Sequence, residues 1–127
     1  MSVAQSAPAG LLDPGEVLAK AAMKAAARLG LSAKSLAAVL GVSEATLSRM
    51  KRRDLALEPG TKPFELAVLF IRMFRSLDAL TGGDEALANA WLMNFNVALE
   101  ARPIDKIVTI AGLMDVIAYL DARRSPI

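Results

Sequence analysis

Apolar residues recur at helical spacing along most of the chain, and capping residues divide them into separate elements. A first helix is predicted from Asp13, which suits an N-cap, to Gly30, which suits a left-handed stop. Ser32 and Ser43 are expected to cap two short helices joined by a tight turn. A long fourth helix is predicted over residues 63–80. The spacing therefore predicts a helical protein from its first capping residue onward.

The second half of the chain is predicted to continue with shorter helices. Asp84 caps a helix that contains Trp91, and Pro103 opens a short one. Gly112 is expected to separate that short helix from a last helix. Ala and Leu, both strong helix formers, supply 43 of the 127 residues. The predicted fold class is all-α, with an N-terminal helix-turn-helix followed by a small helical domain.

The long helix over 63–80 is apolar around nearly its whole circumference. A helix of that kind must be buried on every side. A central position in the domain, a homodimer interface, or both would bury it. The residues predicted for a homodimer interface are Phe64, Phe70 and Phe74.

The segment from residue 33 to residue 52 carries the spacing of a helix-turn-helix. Ala37 supplies the small residue that lets two helices cross closely, and Gly41 stands where the chain reverses. Leu47 and Met50 supply the apolar underside of the second helix. Every position that has a packing role is filled by a suitable residue type. The motif predicts the local fold more strongly than it predicts DNA binding.

The outward face of that second helix is the candidate DNA-binding site. Arg49 and Arg52 are placed to contact guanine edges or phosphates, and serine hydroxyls can bond to either. The alternative interpretation is a structural or dimerisation unit whose basic residues form a solvated face. The candidate DNA-binding residues are Ser43, Glu44, Ser48, Arg49 and Arg52.

Composition excludes several classes of function. The chain has neither Cys nor His, which excludes disulfides, ordinary zinc sites and catalysis by Ser-His-Asp or Cys-His groups. We therefore expect no enzyme activity, no cofactor and no metal. No apolar run approaches the roughly 20 residues of a membrane span, and no signal peptide is recognisable, so a cytoplasmic location is expected. Residues 1–62 carry a net charge of +4 and residues 63–127 one of −2, which indicates different partners for the two halves.

An ordered set of residues in the second half resembles a known family. The set resembles the C-terminal domain of Xre/MbcA/ParS-like antitoxins, and the helix-turn-helix is similar to the Xre-like domain of the same family. The resemblance covers about residues 14–124. It rests on Ala90-Trp91-Leu92, Asn94 or Asn96, Leu99, Arg102-Pro103, Gly112, Val116 and Leu120.

This resemblance implies a protein partner. Such antitoxins neutralise a RES-domain toxin that consumes NAD, and their C-terminal domain covers the toxin's active-site cleft. They are typically dimeric and can bind the promoter of their own operon. The candidate toxin-binding residues are Tyr119, Arg123 and Arg124, at the end of the last helix. The alternative for this end is a frayed tail with solvated charges.

The predicted organisation has three parts. Residues 1–12 form a mobile tail, residues 13–62 the helix-turn-helix domain and linker, and residues 63–127 the long helix and the toxin-binding domain. The second function that fits is a stand-alone transcription regulator whose C-terminal domain dimerises or senses a ligand. A RES-domain gene beside this one would discriminate between the two.

Overall fold

The computed structural model describes residues 13–124, and the predicted tail over 1–12 lies outside that range. Between residues 13 and 124 the chain forms seven helices and no strand beyond one isolated bridge, which confirms the all-α prediction. The helices are α1 (Pro14–Leu29), α2 (Ala33–Leu40), α3 (Glu44–Lys51), α4 (Lys62–Leu80), α5 (Glu85–Met93), α6 (Pro103–Lys106) and α7 (Ile110–Arg124).

The predicted capping residues set the bounds of the first three helices. The Asp13 carboxylate accepts a hydrogen bond from the Glu16 amide at 3.0 Å, and α1 ends at Gly30 with φ of 73°. Ser32 and Ser43 cap α2 and α3 through their hydroxyls, at 3.1 and 3.0 Å from the amides that they accept from. These bonds satisfy amides that the helix itself leaves unpaired.

Helix α4 occupies the centre of the molecule. α1 and α2, from the N-terminal half of the chain, pack against it. α5 and α7, from the C-terminal half, pack against it as well. Ala67, Phe70, Met73 and Leu77 are completely buried within the single chain. A central position therefore buries most of this apolar helix without a second copy.

The placement of α4 corrects one predicted interface residue. Phe70 has no exposed surface, so its ring belongs to the core and is not available to a partner. Phe64 and Phe74 are half-buried and pack against the same core. The guanidinium of Arg28 lies 5.2 Å from the centre of the Phe74 ring, which covers that ring with a cation.

Contacts between α1 and α5 join the N-terminal and C-terminal halves. Arg28 of α1 forms ion pairs with Asp78 of α4 and with Glu85 of α5, each at 3.3 Å. The Asn89 side-chain amide donates to the carbonyl of Leu29 at 2.8 Å and thereby caps the end of α1. The loop that leads into the helix-turn-helix is consequently held by a residue of α5.

Gly112 does not separate two helices, contrary to the prediction. It lies in the first turn of α7, where its amide donates to the Thr109 hydroxyl at 3.0 Å. A Cβ atom at this position would stand 1.9 Å from the carbonyl oxygen of Lys106. The glycine is therefore needed because α6 and α7 approach each other closely there.

A short loop joins α5 to α6 and exposes apolar side chains. An isolated antiparallel bridge pairs Asn96 with Ala101, and the Asn96 side chain accepts from the Leu99 amide at 3.0 Å. These bonds hold the loop in a defined shape.

Of the helices in residues 13–124, none combines the length and apolar character needed to cross a membrane.

We expect Gly112→Ala to destabilise the fold, because the added methyl group meets backbone instead of a flexible side chain. Overpacking of this kind costs about 1–3 kcal/mol. Urea unfolding followed by circular dichroism measures the change in the free energy of unfolding. Ala111→Ser, at the adjacent exposed position, is the matched control and should change it little. Equal stabilities of Gly112→Ala and the wild type would contradict the close approach of α6 and α7.

Candidate nucleic-acid and protein interfaces

Helix α3 has one buried and one exposed face. Leu47 and Met50 are buried beneath it, and Ala37 of α2 is buried in the same core. The turn between the helices passes through Gly41, whose φ is 72°. The helix-turn-helix geometry predicted from the spacing is therefore present, and the remaining side chains of α3 face solvent.

The five predicted DNA-binding residues all lie on or beside the exposed face of α3, but they are not equally free. Ser43 is engaged as the N-cap. Arg52 donates to the Ser48 hydroxyl at 3.1 Å and to the Asp54 carboxylate at 3.2 Å. Glu44 and Arg49 are exposed. These contacts of Arg52 lie on an exposed surface and are weak, whereas Arg49 has no ion pair within residues 13–124, so Arg49 can reach a base edge without breaking one.

Two further basic residues extend this surface. Lys51 and Arg53 are exposed at the end of α3, where Arg53 adopts a φ of 65°. Exposed cations near a recognition helix are suited to phosphate contacts. Together with Arg49 they form a basic surface, with Glu44 at the opposite end of the helix.

A second exposed surface lies on α5 and the loop after it. Phe95 is 66% exposed and Leu87 is 56% exposed, although both are large and apolar. They border a shallow depression of about 290 Å³, which is also lined by Trp91. Large apolar side chains left exposed beside a partly buried aromatic ring are typical of protein-binding sites.

The end of α7 extends this surface through a stack of side chains. The Tyr119 ring lies against Trp91, with ring centroids 6.1 Å apart and an interplanar angle of 25°. The guanidinium of Arg123 lies 5.3 Å from the centre of the Tyr119 ring. Tyr119 and Arg123 therefore share one face of α7, as their spacing predicts. We call Leu87, Trp91, Phe95, Tyr119 and Arg123 the aromatic face.

Arg124 does not join the aromatic face. It donates to the Ser76 hydroxyl of α4 at 2.9 Å. Ser76 in turn donates to Asp121 at 2.8 Å, and Arg72 donates to the other oxygen of Asp121 at 2.6 Å. The end of α7 is thus tied to α4 by a polar network, and the predicted grouping of Tyr119, Arg123 and Arg124 is corrected to the first two.

The network shifts the titration of Asp121. The hydrogen bond from Ser76 is the main cause that lowers the pKa of this carboxyl below its ordinary value, and Arg72 and Arg124 add to the effect against an opposing desolvation. The charged form is therefore the one that the folded chain favours.

In residues 13–124 no group of three or more acidic side chains is arranged to hold a metal ion.

Leu87 and Phe95 were not among the predicted site residues. Their signal in the sequence is weak, because Phe95 lies in a loop without apolar periodicity and Leu87 sits beside core positions on a short helix. Only the tertiary structure shows that both side chains remain exposed next to Trp91. Phe95 follows Trp91 by four residues, which is helical spacing, whereas α5 ends at Met93 and leaves Phe95 in the loop.

The fold and these two surfaces define a class of protein: a helix-turn-helix protein with a second helical domain that presents a protein-binding face. Residues 9–72 match the family of antitoxin Xre-like helix-turn-helix domains. Residues 76–125 match the antitoxin Xre/MbcA/ParS C-terminal toxin-binding domain. The chain therefore belongs to the antitoxins built from these two domains. No curated protein matches the chain.

Acid should remove the stability that Asp121 contributes. Because its folded-state pKa is lowered, that stability is present above the ordinary value of 3.8 and is lost as the pH falls through the folded value. Wild type should therefore be more stable than Asp121→Asn at pH 6, and the difference should shrink at pH 3. Urea unfolding at both pH values measures it. Glu58→Gln, which alters an exposed linker carboxylate, controls for net charge. A difference that grows in acid would contradict the network.

Proposed function

We propose that this antitoxin neutralises a RES-domain toxin that consumes NAD, by covering the toxin's active-site cleft with the aromatic face. The observation that carries the proposal is the continuous line of exposed Phe95, stacked Trp91 and Tyr119, and Arg123 within the range that matches a toxin-binding domain. The resemblance of the sequence to antitoxins of RES-domain toxins supports the choice of partner.

Apolar burial supplies most of the affinity in this proposal. Phe95 and Leu87 are largely exposed, so a partner removes their apolar surface from water on binding. Trp, Tyr and Arg are the residue types that most often carry binding energy in interfaces. The loop that carries Phe95 is already held by its bridge, which lowers the ordering cost of association.

Arg123 supplies the charged contact. Its guanidinium is positioned over Tyr119 at the edge of the aromatic face. A planar, permanently charged fork pairs with a carboxylate through two hydrogen bonds, so Arg123 suits an acidic group at the edge of the toxin's cleft. Arg124 takes no part in this contact, because it is bound to Ser76.

We also propose that the antitoxin is a cytoplasmic homodimer that binds the promoter of its own operon through α3. A dimer places two recognition helices on half-sites about 34 Å apart, one turn of DNA. Arg49 reads a base edge in this arrangement, while Lys51 and Arg53 contact phosphates. Helix-turn-helix geometry and the exposed basic surface support this part of the proposal.

Phe95→Ser tests the toxin-binding part. We expect a loss of affinity for the co-encoded RES-domain protein of about 10- to 100-fold, which is the range of an aromatic interface residue. Isothermal titration calorimetry measures the affinity, and NAD consumption measures neutralisation. Val17→Ser, which alters an exposed apolar residue on α1, is the control and should bind like the wild type. Unchanged affinity of Phe95→Ser would contradict the role of the aromatic face in toxin binding. If the wild type does not bind the RES-domain protein at all, the chain is better described as a stand-alone regulator.

A reciprocal pair of variants separates the two surfaces. Arg49→Ala should weaken promoter binding by about 10-fold or more, as expected for a lost bidentate base contact, and leave neutralisation unchanged. Arg123→Ala should weaken neutralisation and leave DNA binding unchanged. Fluorescence anisotropy with promoter DNA and the NAD assay give the two readouts. Parallel losses in both assays would refute the separation.

A further inference from the structure

Helix α4 keeps one exposed stripe although most of it is buried. Glu65, Val68, Arg72, Arg75 and Ala79 are all exposed and follow one another at alternating intervals of three and four residues. This spacing places them in one line along a single face of the helix, which we call the seam. Val68, near its middle, is 47% exposed. The seam runs along the outer side of the helix that forms the core.

We propose that this seam packs antiparallel against the same seam of a second copy, across a two-fold axis near its middle. The inference rests on the homodimer proposed above and assigns its interface. It replaces an interface built on Phe70, which is buried within one chain. A two-fold arrangement uses the same surface on both copies and closes on itself.

Charge complementarity selects the antiparallel arrangement. It places Glu65 opposite Arg75 of the second copy, and symmetry makes this contact twice. It also places Val68 against the aliphatic stem of Arg72 of the second copy. A parallel pair would set each charged residue against its own copy, carboxylate on carboxylate and guanidinium on guanidinium. Like charges in those positions oppose association.

The present contacts of these side chains leave them free to pair. The only ion pair of Glu65 among residues 13–124 is with Lys62, at 3.8 Å and on an exposed surface. Such a pair contributes little. Arg75 has no ion pair within that part of the chain, whereas Arg72 is held by Asp121. Arg75 is therefore the cation that forms an ion pair with Glu65 of the second copy.

Apolar surface beside the seam adds to the contact. An open cleft of about 650 Å³ runs along this side of α4, and Leu18 of α1, Val68 and Ile71 form its apolar part. Arg72 and Arg75 stand at its polar part. A second α4 helix brings both apolar residues and a carboxylate to this cleft. The ion pairs then fix orientation and register, and the apolar surface supplies affinity.

Charge reversal tests the arrangement with a mixing experiment. Glu65→Arg leaves two facing pairs of arginines in its homodimer, and Arg75→Glu leaves two facing pairs of glutamates. Each variant alone should therefore dimerise at least about tenfold more weakly than wild type, as expected for two repulsive contacts. In a heterodimer of the two variants, every arginine of one chain at these contacts again faces a glutamate of the other. An equimolar mixture should therefore form a heterodimer with nearly wild-type affinity.

Sedimentation equilibrium measures the dimer dissociation constants, and circular dichroism checks that each variant is folded. Glu58→Arg, at an exposed linker position, controls for the change in net charge of Glu65→Arg and should dimerise like wild type. A monomeric wild type at micromolar concentration would refute both the homodimer and this interface. A dimeric wild type whose variants dimerise equally well would refute the interface alone. Weakened variants that do not rescue each other would refute the antiparallel register.

Discussion

Burial of α4 is the constraint on which the rest of the structure depends. Most of the helix surface is too apolar to face water, and Phe70, Met73 and Leu77 are completely enclosed. α1 and α2 cover it from the helix-turn-helix, while α5 and α7 cover it from the C-terminal half. One core therefore supports both candidate surfaces, and neither half has an independent apolar interior of comparable size.

A shared core gives the two surfaces a fixed relation. Asn89 of α5 caps the end of α1, and Arg28 of α1 pairs with Glu85 of α5, so α5 directly contacts the segment that leads into the helix-turn-helix. Arg72 and Ser76 hold the end of α7 in the same way through Asp121. These polar contacts position the elements, whereas the apolar core supplies the stability. The two helices that carry the aromatic face are therefore each fixed by polar contacts, α5 to α1 and α7 to α4.

Local signals were enough to predict the helix-turn-helix and most helix starts. Asp13, Ser32 and Ser43 act on amides three residues away, so their role can be inferred without the tertiary structure. Features that depend on distant contacts could not be inferred. The role of Gly112 arises from the approach of α6, and the different directions of Arg123 and Arg124 arise from how α7 packs on α4. Apolar periodicity alone also could not decide whether α4 is buried by its own chain or by a second one.

Hydrogen–deuterium exchange of the antitoxin, with and without the RES-domain toxin proposed as its partner, is the measurement that bears most closely on the aromatic face. Exchange should slow in residues 85–97 and 119–124 on binding, because the partner covers the aromatic face. Exchange in α3 should remain unchanged, since the recognition helix lies outside that contact. Protection confined to α3, or unchanged exchange in residues 85–97, would contradict the claim that the C-terminal half captures the toxin.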